Sequence, residues 1–223
     1  MKNSFFLFVL AVILTSCSGG NSDLAKAGLK GSISSVIEHQ YEAVHKDGGW
    51  VAGKPGQFGH RIIEYDTEGN YVKSLALTHT GDTIGYTTMR RENGEEVEET
   101  FHSLLNGRIT RTLMERISDE QVNFEVWEGE TLYYEGASYF DSRGRVVSQV
   151  RVVNDREVIN HFVYDKGFMV KSFQEELSGD ITGTQLYEYT EFDEVGNWTE
   201  RIIYLSEDRI VPEVITTRTY QYR

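Results

Sequence analysis

Apolar and polar side chains alternate along most of this chain with a period of two, the spacing of an extended strand rather than a helix. After Gly196-Asn197, Trp198, Glu200, Ile202 and Tyr204 fall on one face, while Thr199, Arg201 and Ile203 fall on the other. Val146, Ser148, Val150 and Val152 repeat the alternation, and Ile33, Ile37, Tyr41 and Ala43 share one parity nearer the N-terminus. Glycine turns punctuate these runs: "DTEGN" (66–70), "THTGDT" (78–83), "ENGE" (92–95), "LNGR" (105–108), "WEGE" (127–130), "DSRGR" (141–145), "YDKGF" (164–168), "LSGD" (177–180) and "DEVGN" (193–197). Successive glycines are mostly 11 to 15 residues apart, about one strand plus one turn. "KDGG" (46–49) adds an earlier turn and "GKPGQFG" (53–59) a longer loop, while "LMERISDEQVNF" (113–124) leaves room for one short helix. The predicted fold is all-β: an antiparallel meander of repeated β-hairpins in an open or curled sheet.

One turn recurs. Tyr65-Asp66, Phe140-Asp141 and Phe192-Asp193 are each followed by two residues, a glycine, and Asn or Arg; Tyr164-Asp165 opens a shortened copy with Gly167. The aromatic ends a strand and packs across it. The Asp carboxylate can accept backbone N–H groups two or three residues ahead, and the glycine supplies the positive φ that such a loop requires. Folding alone accounts for every residue of the motif, so it demands no ligand.

These copies resemble YD-repeat (RHS-like) hairpin arrays. They are more closely similar to a largely uncharacterised group of small bacterial envelope lipoproteins with degenerate copies of the repeat. The lead-in "LKGSISSVIEHQYEAV" (29–44) and the repeats "IIEYDTEGNYVK" and "TEFDEVGNWTER" carry the likeness, which covers most of residues 29–222. The resemblance implies a non-enzymatic envelope protein and offers no catalytic residues to carry over. A sugar-binding role is attached to some members by analogy.

The N-terminus gives an address. Residues 1–17, "MKNSFFLFVLAVILTSC", place Lys2 before an unbroken apolar run from Phe5 to Leu14, the length of a signal-peptide core and too short for a stable span. Leu14-Thr15-Ser16-Cys17 resembles a bacterial lipobox, and Cys17 is the single cysteine of the chain. Lipidation through its sulfur would anchor the mature N-terminus and leave no thiol for redox or nucleophilic chemistry. Ser18 fits outer-membrane sorting by resemblance to other lipoproteins, with the periplasmic and surface faces both open. Residues 18–31, small and polar, read as a flexible tether, and 32–223 as a single repetitive β domain.

Charge narrows the partners. Without residues 1–17, 21 Lys+Arg stand against 35 Asp+Glu, a net charge near −14. Such a balance disfavours nucleic acid and anionic headgroups, which need a basic face. Acids are dense only in "RENGEEVEET" (91–100), read as an exposed hairpin.

Chemistry is sparse. The six histidines (39, 45, 60, 79, 102, 161) lack compact metal spacing, and His39 reads as a satisfied strand histidine. There is no G-x-S-x-G elbow and no phosphate-cradling loop. With 35 acids, some carboxylate pair is bound to lie at a useful separation, so pairing alone says nothing. Calcium at Asp66 and Glu68, or at Asp193 and Glu194, competes with a plain Asx turn. No catalytic residue, metal or cofactor is expected. Trp50, Trp127 and Trp198 could offer flat platforms to sugar rings, Trp198 being the candidate ligand contact. The leading expectation is a lipid-anchored scaffolding or binding module for an envelope protein. The alternative is an accessory lipoprotein for a neutral glycan, and an envelope hydrolase is a more distant third reading.

Overall fold

The computed structural model describes residues 22–153 and 156–223. Among the described residues, one helical turn, α1 (Asp23–Lys26), precedes fifteen strands. These are β1 (Ile33–Lys46), β2 (Gly49–Pro55), β3 (His60–Tyr65), β4 (Tyr71–Leu77), β5 (Thr83–Glu92), β6 (Glu95–Ser103), β7 (Ile109–Ser118) and β8 (Gln121–Glu128). They continue as β9 (Thr131–Phe140), β10 (Val146–Val153), β11 (Arg156–Asp165), β12 (Phe168–Glu176), β13 (Ile181–Phe192), β14 (Trp198–Tyr204) and β15 (Pro212–Tyr222).

The meander of antiparallel hairpins is present, but the sheet is neither open nor curled: it closes. β3 through β15 pair in chain order, and β1 pairs with both β3 and β15, making a ring of 14 strands. The closing register runs from Ile33↔Tyr222 to Glu42↔Val214. Closure satisfies two rows of backbone groups that an open sheet would leave as edges. Local alternation cannot specify whether the first and last strands meet, because it is the same in both arrangements. β2 stands outside the ring as a flap on the distal half of β1. Its Trp50, with Ala43, lies against an outer cluster of Leu186, Ile202, Tyr204 and Ile215.

The short helix for which 113–124 left room does not form there; the one helical turn among the described residues is α1. That stretch crosses from β7 into β8, with Met114, Val122, Phe124 and Val126 buried on one face together with Phe140. The spacing of two in Val122, Phe124 and Val126 overrides the local helical composition.

The described part of the expected tether, 22–31, is packed rather than free. Leu24 and Leu29 are buried against Ile33, Val36, Tyr65 and Tyr71. Asp23 accepts from the Tyr71 amide on β4 at 2.8 Å. The Lys26 stem packs over Gly144 in the β9–β10 turn, 3.6 Å from where a Cβ would stand. Three helical residues advance about 4.5 Å, whereas β4 and β9 are five strand spacings apart, about 24 Å around the wall. Only a chord across the barrel mouth joins them. The segment continues past Gly167 of the β11–β12 turn to Asn197 of the β13–β14 turn, then enters β1. The side chains that meet it therefore define the inner face of the barrel.

Candidate functional site in the barrel interior

The recurring turns line the crossed mouth. In each full copy one Asp oxygen accepts two backbone N–H groups, two and four residues ahead. The bonds run from Glu68 and Asn70 to Asp66 at 2.9 and 2.8 Å, from Arg143 and Arg145 to Asp141 at 2.9 and 3.0 Å, and from Val195 and Asn197 to Asp193 at 3.0 and 2.8 Å. Gly69, Gly144 and Gly196 take φ of +84°, +72° and +87°, which only glycine adopts without strain. The Asx turn is thus present, its second N–H one residue further on than the sequence suggested. With the Asp oxygens committed to these bonds, the loops offer no preformed calcium cage. Among the described residues no three His, Cys, Asp or Glu side chains converge as metal ligands would.

These turns also grip the N-terminal segment. Asn197, fully buried, accepts from Lys30 N at 2.7 Å and donates to Lys30 O at 2.9 Å and the Tyr222 hydroxyl at 2.8 Å. At the other end of the chord, Asp23 receives Lys26 Nζ at 3.1 Å and Arg91 Nη2 at 2.7 Å, and the same Arg91 nitrogen reaches Glu96 at 2.6 Å. Burial and the neighbouring Asp23 carboxylate push Glu96 up to about 8 against the pull of Arg91. The stretch 91–100, read as an exposed hairpin, therefore supplies an internal latch: Glu96 and Glu99 are both buried. Glu99 has burial as the sole cause that raises its carboxyl to about 7.

Further along the inner wall lies a guanidinium cluster. Glu38, 2% exposed, takes Arg61 on Oε1 at 2.9 Å and Arg218 on Oε2 at 2.8 Å. Burial alone would raise its carboxyl; Arg61, Arg218 and Arg201 together overcome that and hold it at about 2. Trp198 belongs to this cluster. It is 3% exposed, with the Arg218 guanidinium 3.9 Å and that of Arg201 4.8 Å from its ring centroid. An extra residue in β14, between the pairs Phe192↔Trp198 and Glu191↔Glu200, takes Trp198 out of phase with Glu200, Ile202 and Tyr204. Its ring is thus a buried packing surface for arginines and offers no open face to a sugar. Trp127 donates to Glu125 on the outer wall, and Trp50 packs edge-on to His45 on the flap.

A third group spans β9 to β13. Gln149 donates to Ser138 at 3.2 Å, Arg151 and Gln174 converge on the Asn160 amide, and Tyr187 bridges Ser172 at 2.9 Å and Gln185 at 2.7 Å. Gln149, Arg151, Ser172, Gln174 and Gln185 face inward yet remain partly exposed, so the interior is hollow along this wall.

The outer wall differs from a lipid-facing one. The register Arg90↔Glu98↔Leu113↔Glu125↔Glu135↔Val152↔Glu157 runs across seven neighbouring strands, β5 to β11. Five of its seven side chains are charged. The row starts beside the β5–β6 turn and ends beside the opposite mouth, so an apolar belt at any one height would have to cross it.

No family profile matches the sequence, and no curated protein matches it. Among solved structures the chain is similar to a porin-like protein from Bacteroides vulgatus ATCC 8482, with a TM-score of 0.50 at 11% identity over 86% of this chain and 99% of that one. A porin-like protein from Bacteroides uniformis ATCC 8492 matches with a TM-score of 0.46 at 11% identity, over 85% of this chain and 98% of that one. The first likeness supports the closed antiparallel β-barrel already evident from the pairing; it shows fold alone.

Of the two residues singled out from sequence, Trp198 is placed in the inner wall, and Cys17 lies outside the described residues. Sequence reasoning missed Arg61, Arg201 and Arg218 around Glu38. The available signal was arginine on strand positions alternating with apolar ones, as in "ERIIY", "GHRII" and "TTRTY".

Proposed function

We propose that this protein is a non-enzymatic binding barrel, held at the outer membrane by a lipid on Cys17, whose wall does not itself cross the bilayer. The charged row on the outer wall carries the reading. A basic side chain facing lipid at the bilayer midplane costs about 2–4 kcal/mol, and acidic ones somewhat less. Several such groups would have to be overcome together. The polar, partly solvated inner wall supports the interior as the ligand compartment, entered from the mouth that α1 does not cross. The occupant would be a glycan or a segment of an envelope protein. Closure removes the free edges that strand addition needs, leaving only the β2 flap for that mode.

The experiment is to export residues 18–223 behind an ordinary cleavable signal and fractionate the cells without detergent, alongside the natural chain labelled with a palmitate analogue. The expected result is label on the natural chain that disappears in Cys17→Ser, and a folded, unlipidated barrel in the soluble fraction. A barrel that stays in the membrane through alkaline extraction, or that conducts ions in a planar bilayer, would overturn the reading in favour of a membrane-spanning channel.

A further inference from the structure

We propose that the inner wall between β14, β15 and β1 holds a binding site for one anionic group, a carboxylate or phosphate, centred on Arg201 and Thr216. The inference rests on the interior being the ligand compartment, and it assigns the chemistry of what is held there. Four observations converge on it.

Local charge is the first. The chain as a whole carries −13, yet three guanidiniums, Arg61, Arg201 and Arg218, surround the single carboxylate of Glu38 on this wall. Both oxygens of Glu38 are occupied by Arg61 and Arg218. Arg201 acts on Glu38 through its charge alone, so the cluster carries an excess of about two positive charges in a partly desolvated place.

Posture is the second. The Arg201 guanidinium sits 5.0 Å from the Tyr187 ring centroid and 4.8 Å from that of Trp198. Two aromatic rings thus hold in place a guanidinium, the group whose N–H fork takes up an oxyanion.

Orphaned polar atoms are the third. Among the described residues, Arg201 Nε and Thr216 Oγ1 are buried without a hydrogen-bond partner. Thr216 is fully buried, and the β14–β15 register sets it directly opposite Arg201. A buried donor left unsatisfied has lost its water without gaining a partner. Two such donors side by side, beside surplus positive charge, are the form of a site that an anion completes.

Access is the fourth. Arg201 is partly exposed although it faces inward, and the Arg61 and Arg218 side chains are 36% and 13% exposed. An acceptor entering along the wall can reach the exposed parts of these guanidiniums, with Thr216 buried beside Arg201. The negative outer surface and this positive patch of the inner wall differ in sign, so the neutral glycan expected from overall charge does not follow for the patch.

Equilibrium dialysis with radiolabelled inorganic phosphate and, separately, with glucuronate tests the site on the processed natural chain, at constant ionic strength set by chloride. We expect saturable binding of one anion per chain, weakened at least tenfold in Arg201→Met and in Thr216→Val, and unchanged in Lys73→Met on the outer wall. Arg201→Lys, which keeps the charge but not the fork, should bind between the two. Thr216→Val should also raise the anion-free melting temperature, because it removes a buried orphan hydroxyl. Tighter binding of glucuronate would assign the group to an acidic sugar, and tighter binding of phosphate to a phosphorylated ligand or the free ion. Absence of saturable binding of either anion by the natural chain overturns the site, as does equal binding by the natural chain, Arg201→Met and Thr216→Val. Detergent-solubilised protein serves equally, so a barrel that proves to cross the membrane would fail the fractionation experiment and leave this one readable.

Discussion

At the residue scale, the same polar side chain has opposite meanings on the two sides of the wall. Glu98 is paired with Arg90 in solvent at 3.0 Å, while its neighbour Glu99 points inward, 9% exposed. Burial raises Glu99 to about 7 from an ordinary 4.5, so between those values the folded chain holds a proton that the unfolded chain has lost. The Glu99 contribution to stability therefore falls as pH rises from about 4.5 to about 7 and is level above, while Glu96 carries a further fall to about 8. Glu99→Gln removes the cost of the buried charge. Its melting temperature should match the natural chain near pH 4 and exceed it by several degrees above pH 7.5, for an effect on the order of 3 kcal/mol. A difference that does not change with pH would show that the carboxyl is not the titrating group.

Legibility at this scale was local. The Asx turns could be read because their donors and acceptors lie within four residues of one another. Face assignment failed where a bulge intervened. A register shift between Ile33 and Ser35 puts Ile33 inward with Val36 and Glu38, away from Ile37 and Tyr41. The extra residue after Trp198 does the same to the Trp198 face. A period-two reading has no means of sensing an insertion of one.

At the element scale, the N-terminal segment is the least legible part. Its composition, small and polar, describes a linker, and only the acidic and amide groups of distant hairpins make it a packed element. Arg91 joins β5, the Tyr71 carbonyl, Asp23 and Glu96. Truncating it to Met leaves the buried Asp23 carboxylate with Lys26 alone and removes the pull that opposes the rise of the Glu96 carboxyl. Removing one partner of such a network costs about 3–5 kcal/mol. Hydrogen exchange followed by mass spectrometry should then show residues 23–31 losing protection while β13 to β15 keep theirs. Adding Asp23→Asn and Glu96→Gln to Arg91→Met should restore part of it, because the uncompensated charge is gone. Equal loss across all strands would mean that the segment is part of the cooperative core and no separable unit.

At the scale of the whole molecule, hairpins were legible and their closure was not. Each hairpin is a local event, whereas the β1–β15 seam joins residues more than 170 positions apart, such as Glu42 and Val214. The sequence holds the seam in plain view at both ends, "SSVIEHQYE" and "VITTRTYQY", but any two such strands would pair equally well on paper. The inner charges were misread for a related reason: acids and arginines on strands look solvent-facing until the sheet is known to enclose a wet interior. Deleting residues 212–223 should expose β14 and β1 as edges and strip Arg218 from Glu38. We expect loss of the cooperative thermal transition and aggregation during refolding. A truncated chain that melts sharply near the natural temperature would mean that the seam is dispensable.

The chord across the mouth has a mechanical consequence. From Cys17 to Ser22 the chain can extend about 17 Å at most, and Asp23 is already held by Lys26 and Arg91. With a lipid on Cys17, the barrel stands with that mouth against the membrane and the other turned away, without a long leash to swing on. Any pull between membrane and barrel is then delivered first to the Asp23 latch and only afterwards to the amide clamp of Asn197. Load applied through the anchor would draw the crossing segment outward one attachment at a time, peeling the base from the cup before the wall bears any strain.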